Sequence, residues 1–348
     1  MKTTATLVKI ISISMAFVPW VATANVVGPY ATPDPNTIHL WHLNESGTPA
    51  ADSAHYSYTG TFTTNADVNL PLNALFGGVA PATLGNASYT GFGTALSTVP
   101  TSAPPFSVNS VQPGLGALTP ANSTADNVDH TFDNPTTHAF TFEAIIKIGW
   151  NPAVSWAQPQ EIIAGEGDAG DSSDRSWQFR IEANTTPGTN PWVLRFQKIS
   201  GFGGVGGSTA NYNLDAAIPT AGIDALQQGA WYHVAVTYNG GINTTNNLLL
   251  YWTKLDDANT NAHLIGSGQM NGWLREQDTD FALGNELRDF NGNTEPFNGL
   301  IDEVRISDVA RTSDQFIFAV PEPSTFALLG LGLGVCFTLR RKSAKRRV

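Results

Sequence analysis

The chain has 348 residues, 41% hydrophobic and 14% charged, with 33 glycines, 21 prolines and one cysteine, which excludes a coiled coil, a collagen and a disordered tail and supplies enough apolar material for a large core. Between Asn25 and Ala319 stand 28 acidic and 10 basic residues, a net of −18, and a field of that sign repels nucleic acid and anionic lipid headgroups. Cys336, alone, rules out an intramolecular disulfide framework and a thiolate metal cluster.

Residues 1–24 have the order of a secretory signal: Lys2 and Lys9, an apolar stretch from Ile10 to Val21, then Ala22-Thr23-Ala24 as a small-residue cleavage site. Cleavage after Ala24 leaves a domain of residues 25–319. From Thr37 onward the apolar residues repeat every second position, the pattern of strands with one buried face. Strands are expected at 37–43 and 58–63, followed by an insertion from Asn65 to Thr124 whose Pro, Ser, Thr and Gly content predicts long surface loops. His138 to Trp150 alternates most clearly, with Phe140, Phe142, Ala144, Ile146, Ile148 and Trp150 on one face and Thr141, Glu143 and Lys147 on the other. Further strands are expected at 160–165, 175–182, 191–199, 231–238, 247–255, 261–267, 279–284 and 297–307, with a turn at Asn239-Gly240-Gly241 and a short helix from Thr312 to Phe318. About a dozen strands between Gly, Asn and Pro turns predict an all-β, two-sheet antiparallel jelly-roll sandwich.

At the C-terminal end, Val320-Pro321-Glu322-Pro323 precedes an apolar segment, Phe326 to Leu339, and a basic run from Arg340 to Arg347. Residues 320–348 resemble the PEP-CTERM sorting signal of Gram-negative bacteria. The segment is shorter than the ~20 residues of a comfortable span, and the basic run keeps its end cytoplasmic by the positive-inside rule. The resemblance implies an exosortase as processing partner, a transient stay of 326–339 in the inner membrane, and delivery to the cell surface or extracellular matrix.

Four stretches are similar to the bacterial LamG-like, concanavalin A-like jelly roll and occur in that family's order. They are Leu40-Trp41-His42-Leu43-Asn44-Glu45-Ser46-Gly47 with Ala51-Asp52-Ser53, Phe140 to Ala144, Trp231 to Tyr238, and Phe297-Asn298-Gly299-Leu300-Ile301-Asp302-Glu303-Val304-Arg305-Ile306. The similarity spans residues 37 to 318, departing at the long insertion and at His55-Tyr56. Unbroken alternation puts Asp302 on the face of Leu300, Val304 and Ile306, where a carboxylate needs compensation. The resemblance implies a structural calcium ion there, with Asp302 and Asp52 as oxygen ligands.

A glycosidase needs two facing carboxylates. The chain offers Glu276, Asp278 and Asp280 at same-face spacing, with Asp where the glucanase pattern has its last Glu, a misplacement that positioned chemistry tolerates poorly. The acidic run Glu166 to Asp174 lacks the order of an EF-hand loop. Trp150, Trp156, Trp192 and Trp273 adjoin Pro or Gly in loops and are the candidate platforms for a glycan or a protein partner. The sequence therefore predicts an exported, non-catalytic glycan- or protein-binding jelly roll, with a hydrolase or a purely structural surface protein as alternatives.

Overall fold

Period-two patterning folds the chain into two stacked antiparallel sheets. The structure, a computed structural model, describes residues 28–318 apart from 31–32, 55–71, 73, 77–81, 99–115, 119–131, 135, 154–158, 168–174, 184–191, 199–211, 256–258, 260, 275–278 and 286–296. All of these belong to one compact unit, 24–320. The signal segment with Ala22 and Ala24, the motif at 320–323 and the apolar segment 326–339 lie outside the described residues, as does the strand expected at 58–63. Among the described residues no helix is long and apolar enough to cross a membrane.

The first sheet contains β1 (Thr37–Trp41), β3 (Thr83–Ala87), β4 (Thr94–Ser97), β6 (Phe140–Ile148), β11 (Trp231–Tyr238), β12 (Leu248–Lys254), β13 (Leu264–Gly268) and β15 (Gly299–Ser307), in the order β13-β12-β11-β6-β15-β4-β3 with β1 also on β15. The second contains β2 (Ala74–Phe76), β5 (Gly116–Leu118), β7 (Gln160–Gly167), β8 (Arg175–Ala183), β9 (Trp192–Lys198), β10 (Tyr212–Ala217) and β14 (Thr279–Leu283), in the order β10-β9-β8-β7-β14-β5-β2. Phe140, Phe142, Ala144, Ile146 and Ile148 of β6 face Trp177, Phe179 and Ile181 of β8 and Leu194 and Phe196 of β9. Phe142 meets Trp177 at 4.4 Å between ring centres, and Phe140 meets Phe196 at 5.5 Å. Burying each such ring contributes about 1.5–3 kcal/mol.

Two expectations are corrected. The insertion is not all surface loop, because β2, β3, β4 and β5 fall within it or at its edge and extend both sheets. Their brevity, with no alternating run to mark them, hid them from a periodicity search. The helix expected over 312–318 is only a 3-10 turn, Ser313–Gln315. Phe316, extended, and Ile317 and Phe318, in a turn, then lie on the outer face of the first sheet, all buried, beside Trp231, Ala235 and Tyr251.

The Phe297-Asn298-Gly299 start of β15 has a steric cause. A Cβ on Gly299 would lie 2.0 Å from the Lys147 carbonyl oxygen, so only glycine lets β15 close against β6 there. Asn298 donates its amide to Gln160 Oε1 at 2.8 Å, and its carbonyl accepts from Gly149 at 2.9 Å.

Candidate functional site

Strand β15 carries Asp302, Glu303 and Arg305, and a bulge decides where these charges go. Leu300 and Ile301 pair with Ser97 and Leu96 of β4, whereas Val304, Arg305 and Ile306 pair with Trp41, Leu40 and His39 of β1. Between these two neighbours the register to β6 slips, and Glu303 sits at φ 47°, a left-handed conformation uncommon for a residue with a side chain. The extra residue resets the alternation. Ile301, Val304 and Ile306 enter the core, while Asp302 lies opposite Ile145 and Arg305 opposite Glu143, on the outer face. Asp302 is therefore not on the core face that unbroken alternation assigns to it.

Asp302 accepts hydrogen bonds from the Ser88 hydroxyl and from the Glu303 amide, the latter at 2.8 Å. Burial pushes its carboxyl up to about 9, opposed by the Ser88 bond and reinforced by the charges of Glu303 and Glu45, so the group is protonated at neutral pH. Asp52 is engaged elsewhere: its carboxylate accepts from the amides of Leu40 and Ala54, both at 3.0 Å, and pairs with His39 Nδ1 at 2.7 Å. The His39 ring stacks on Trp41 and leans on Phe132, both core residues. The two carboxylates thus work on opposite faces of the sheet and do not fit one shared calcium shell. Among the described residues no group of three or more His, Cys, Asp or Glu side chains could hold a metal ion.

A thermal titration tests this placement. A carboxyl that rises from 3.8 to about 9 on folding contributes stability below the unfolded value and loses it as pH climbs toward the folded one. Asp302→Asn cannot ionise and still accepts the Ser88 bond, so its melting temperature should exceed the parent's by several degrees near pH 9 and converge with it at or below about pH 4. Added calcium should leave the parent curve in place; an upward shift abolished by Asp302→Asn would restore the metal site.

Beside Asp302 lies a cluster with the composition of a catalytic centre. Glu143 meets the Arg305 guanidinium, His233 Nε2 at 3.1 Å and the Tyr30 hydroxyl, while Arg305 also stacks on the Tyr30 ring at 3.6 Å and donates to the Gln315 carbonyl at 2.9 Å. Burial alone would raise the Glu143 carboxyl, but the Arg305 charge and the His233 bond hold it at about 2. Alternation puts Glu143 on the polar face of β6, yet it is 0% exposed, because Tyr30 and the Phe316–Phe318 segment cover that face. His233 lies against Phe316 and Phe318 at 5.0 and 5.4 Å. Sealed in this way, the cluster ties Tyr30 and the Gln315–Phe318 segment to the sheet.

The four tryptophan platforms separate cleanly. Trp150 and Trp192 are 4% and 2% exposed and packed on each other, Trp150 also on Phe297, and the Trp192 indole donates to the Pro152 carbonyl at 3.0 Å. Next to turn residues in sequence, they fold back into the edge of the core and are not platforms. Trp156 lies outside the described residues. Trp273 is half-buried and stacks on His138 with ring centres 4.2 Å apart and planes 23° apart.

That stack stands where three loops converge. Phe140, Tyr238, Leu248 and Gly268 form one row across β6, β11, β12 and β13, so the loops 134–139, 239–247 and 269–274 share one end of the sheet. Gly240 brings two of them together: at φ 77°, a Cβ there would lie 1.8 Å from the Thr137 carbonyl. The buried Asn247 ties the others, donating to the carbonyls of Gly241 and Met270 at 2.7 and 2.6 Å and accepting from the Met270 amide at 2.7 Å. Asn134 Oδ1 caps its loop by accepting from the amides of Thr136 and Thr137, both at 2.9 Å. His138, at φ 58°, is held by its amide bond to the Asn134 carbonyl at 2.7 Å and by the buried Asp133 carboxylate 3.4 Å from Nδ1. Around the stack Asn239, Ile242, Asn243, Thr244 and Asn271 are exposed. The sequence pointed to Trp273 but not to His138 or the amides; the readable signal was the run of Asn, Thr and Gly without charge in all three loops.

Among protein families, residues 122–316 match the concanavalin A-like lectin/glucanases superfamily and residues 319–342 match the PEP-CTERM protein-sorting motif. No curated protein matches the chain. Similar solved structures include the binding domain of botulinum neurotoxin serotype C1, at 12% identity and TM-score 0.44 over 83% of this chain and 53% of that one. A Trypanosoma rangeli sialidase with the inhibitor DANA follows, at 11% identity and TM-score 0.41 over 85% and 35%. The binding domain of serotype G matches at 9% identity and TM-score 0.38 over 80% and 49%. The chain thus spans about half the length of the toxin domains and a third of the sialidase. The sorting motif indicates export with membrane-associated processing by an exosortase-type enzyme in Gram-negative bacteria. With the matched family covering more than half its length, and the two-sheet sandwich closed by β1 and β15, the chain belongs to the concanavalin A-like lectin/glucanases superfamily.

Proposed function

We propose that this is a non-catalytic glycan-binding protein of the cell surface or extracellular matrix, delivered there by its C-terminal signal. The observation that carries the proposal is the Trp273–His138 stack at the converging loops. Aromatic faces accept the C–H faces of sugar rings, and neighbouring amides bond to the ring hydroxyls. The Glu143, His233 and Arg305 cluster supports a binding role over hydrolysis because its members are sealed from solvent. The carboxylates that favour hydrolysis, Glu276 and Asp278, lie outside the described residues, and Asp280 enters β14 opposite Glu166.

Glycan-array binding by the parent and by Trp273→Ala, with reducing-sugar release measured on the same polysaccharides, tests this function. The parent should bind a subset of glycans without releasing sugar, and Trp273→Ala should lose about tenfold in affinity, about 1.4 kcal/mol. Sugar release by the parent, or equal binding by both proteins, would overturn it.

A further inference from the structure

We infer that Gln315–Phe318 is a strap that restrains the sorting signal, so that processing waits for the strap to lift from the first sheet. The concanavalin A-like match ends at residue 316 and the sorting-motif match begins at residue 319, which leaves only Ile317 and Phe318 between them. Both are buried, as is Phe316. The signal therefore follows at once on a residue seated in the fold, and Pro321 stands three residues after Phe318. Three extended residues span about 10 Å. A cleft that must enclose Pro321-Glu322-Pro323 from both sides has too little free chain while Phe318 stays seated.

The way the strap is held suits release. The 3-10 turn at Ser313–Gln315 aims the chain onto the sheet, with Gln315 Oε1 accepting from the Thr312 amide at 3.0 Å. Arg305 then donates to the Gln315 carbonyl at 2.9 Å. Beyond it the Phe316 ring lies 5.2 Å from that of Tyr251 and 5.0 Å from that of His233, and Phe318 lies 5.4 Å from His233. Residues 316–318 belong to no strand, so the strap can lift without breaking the ladder of either sheet. Opening of this kind is local and leaves the sandwich folded. It frees the chain from Gln315 onward and lengthens the tether to Pro321 from three residues to six, about 20 Å when extended.

The test is a pulse-chase of the full chain in a Gram-negative host that has an exosortase, with an epitope following Val348 and the domain followed by its own antibody. A flexible Gly-Ser linker of about ten residues between Phe318 and Ala319 supplies about 17 Å of reach with the strap still seated. It should speed epitope loss from intact domains at least about fivefold, since the parental rate is set by the fraction of molecules with the strap lifted, and should leave the melting curve unchanged. Phe316→Ala with Phe318→Ala should also speed it. Because both changes relieve one restraint, their combination should be little faster than the linker alone. If the alanine variant folds poorly, the linker variant decides by itself. Processing of the linker variant at or below the parental rate would overturn the proposal, as would effects of the two changes that multiply independently. Retention of the epitope by parent and linker variant alike would remove the strap's role together with the processing it is held to restrain.

Discussion

Arg305→Met is expected to destabilise the protein by about 3–5 kcal/mol, because it strands the fully buried Glu143 carboxylate without its cation. At a few degrees per kcal/mol the melting temperature should fall by roughly 10 °C. The same change should remove a pH dependence. Glu143 drops from 4.5 to about 2 on folding, so its contribution is complete above about pH 4.5 and is lost as pH falls through about 2. Denaturant melts from neutral to acid pH should show that acid slope in the parent and much less of it in Arg305→Met. Adding Glu143→Gln to Arg305→Met should recover part of the loss, since an amide needs no counter-charge. Equal stability of parent and Arg305→Met would mean that the cluster is open to water.

Replacing Pro321, Glu322 and Pro323 together by Ala is expected to abolish sorting. Proline fixes φ near −65° and biases the preceding residue to extended backbone, so a Pro-Glu-Pro sequence favours a stiff, extended main chain. A processing enzyme that reads main chain in that shape loses it when alanine restores freedom. Cell fractionation, with an epitope following Val348, should show most of the parent without the epitope and the altered precursor retained in the membrane with it. Processing at the parental rate would show that the motif is not read.

Strands long enough to alternate were legible in the sequence. The runs from Phe140 to Ile148 and from Trp231 to Tyr238 appear where their pattern puts them, because one buried face imposes a period of two on every residue. The bulge at Glu303 was not legible, since no glycine marks the left-handed residue and each side of the slip alternates properly on its own. That single residue moved Asp302 from the core face to the outer face. Burial of Glu143 was hidden for another reason: the cover is Tyr30 and Phe316–Phe318, far away in sequence and belonging to no long element. For the tryptophans, neighbouring Pro and Gly located the turns correctly but carry no information on which way an indole folds, so Trp150 and Trp273 looked alike and ended differently.

If a glycan binds at the three-loop end of the first sheet, hydrogen–deuterium exchange of the full chain in detergent, with and without saturating galactomannan, will show it there. Slower exchange is expected in 134–139, 239–247 and 266–274, with the charged outer ladder of the second sheet, where Arg195 joins Glu182 and Asp215, unchanged. Protection on that ladder with none in the three loops would contradict the claim.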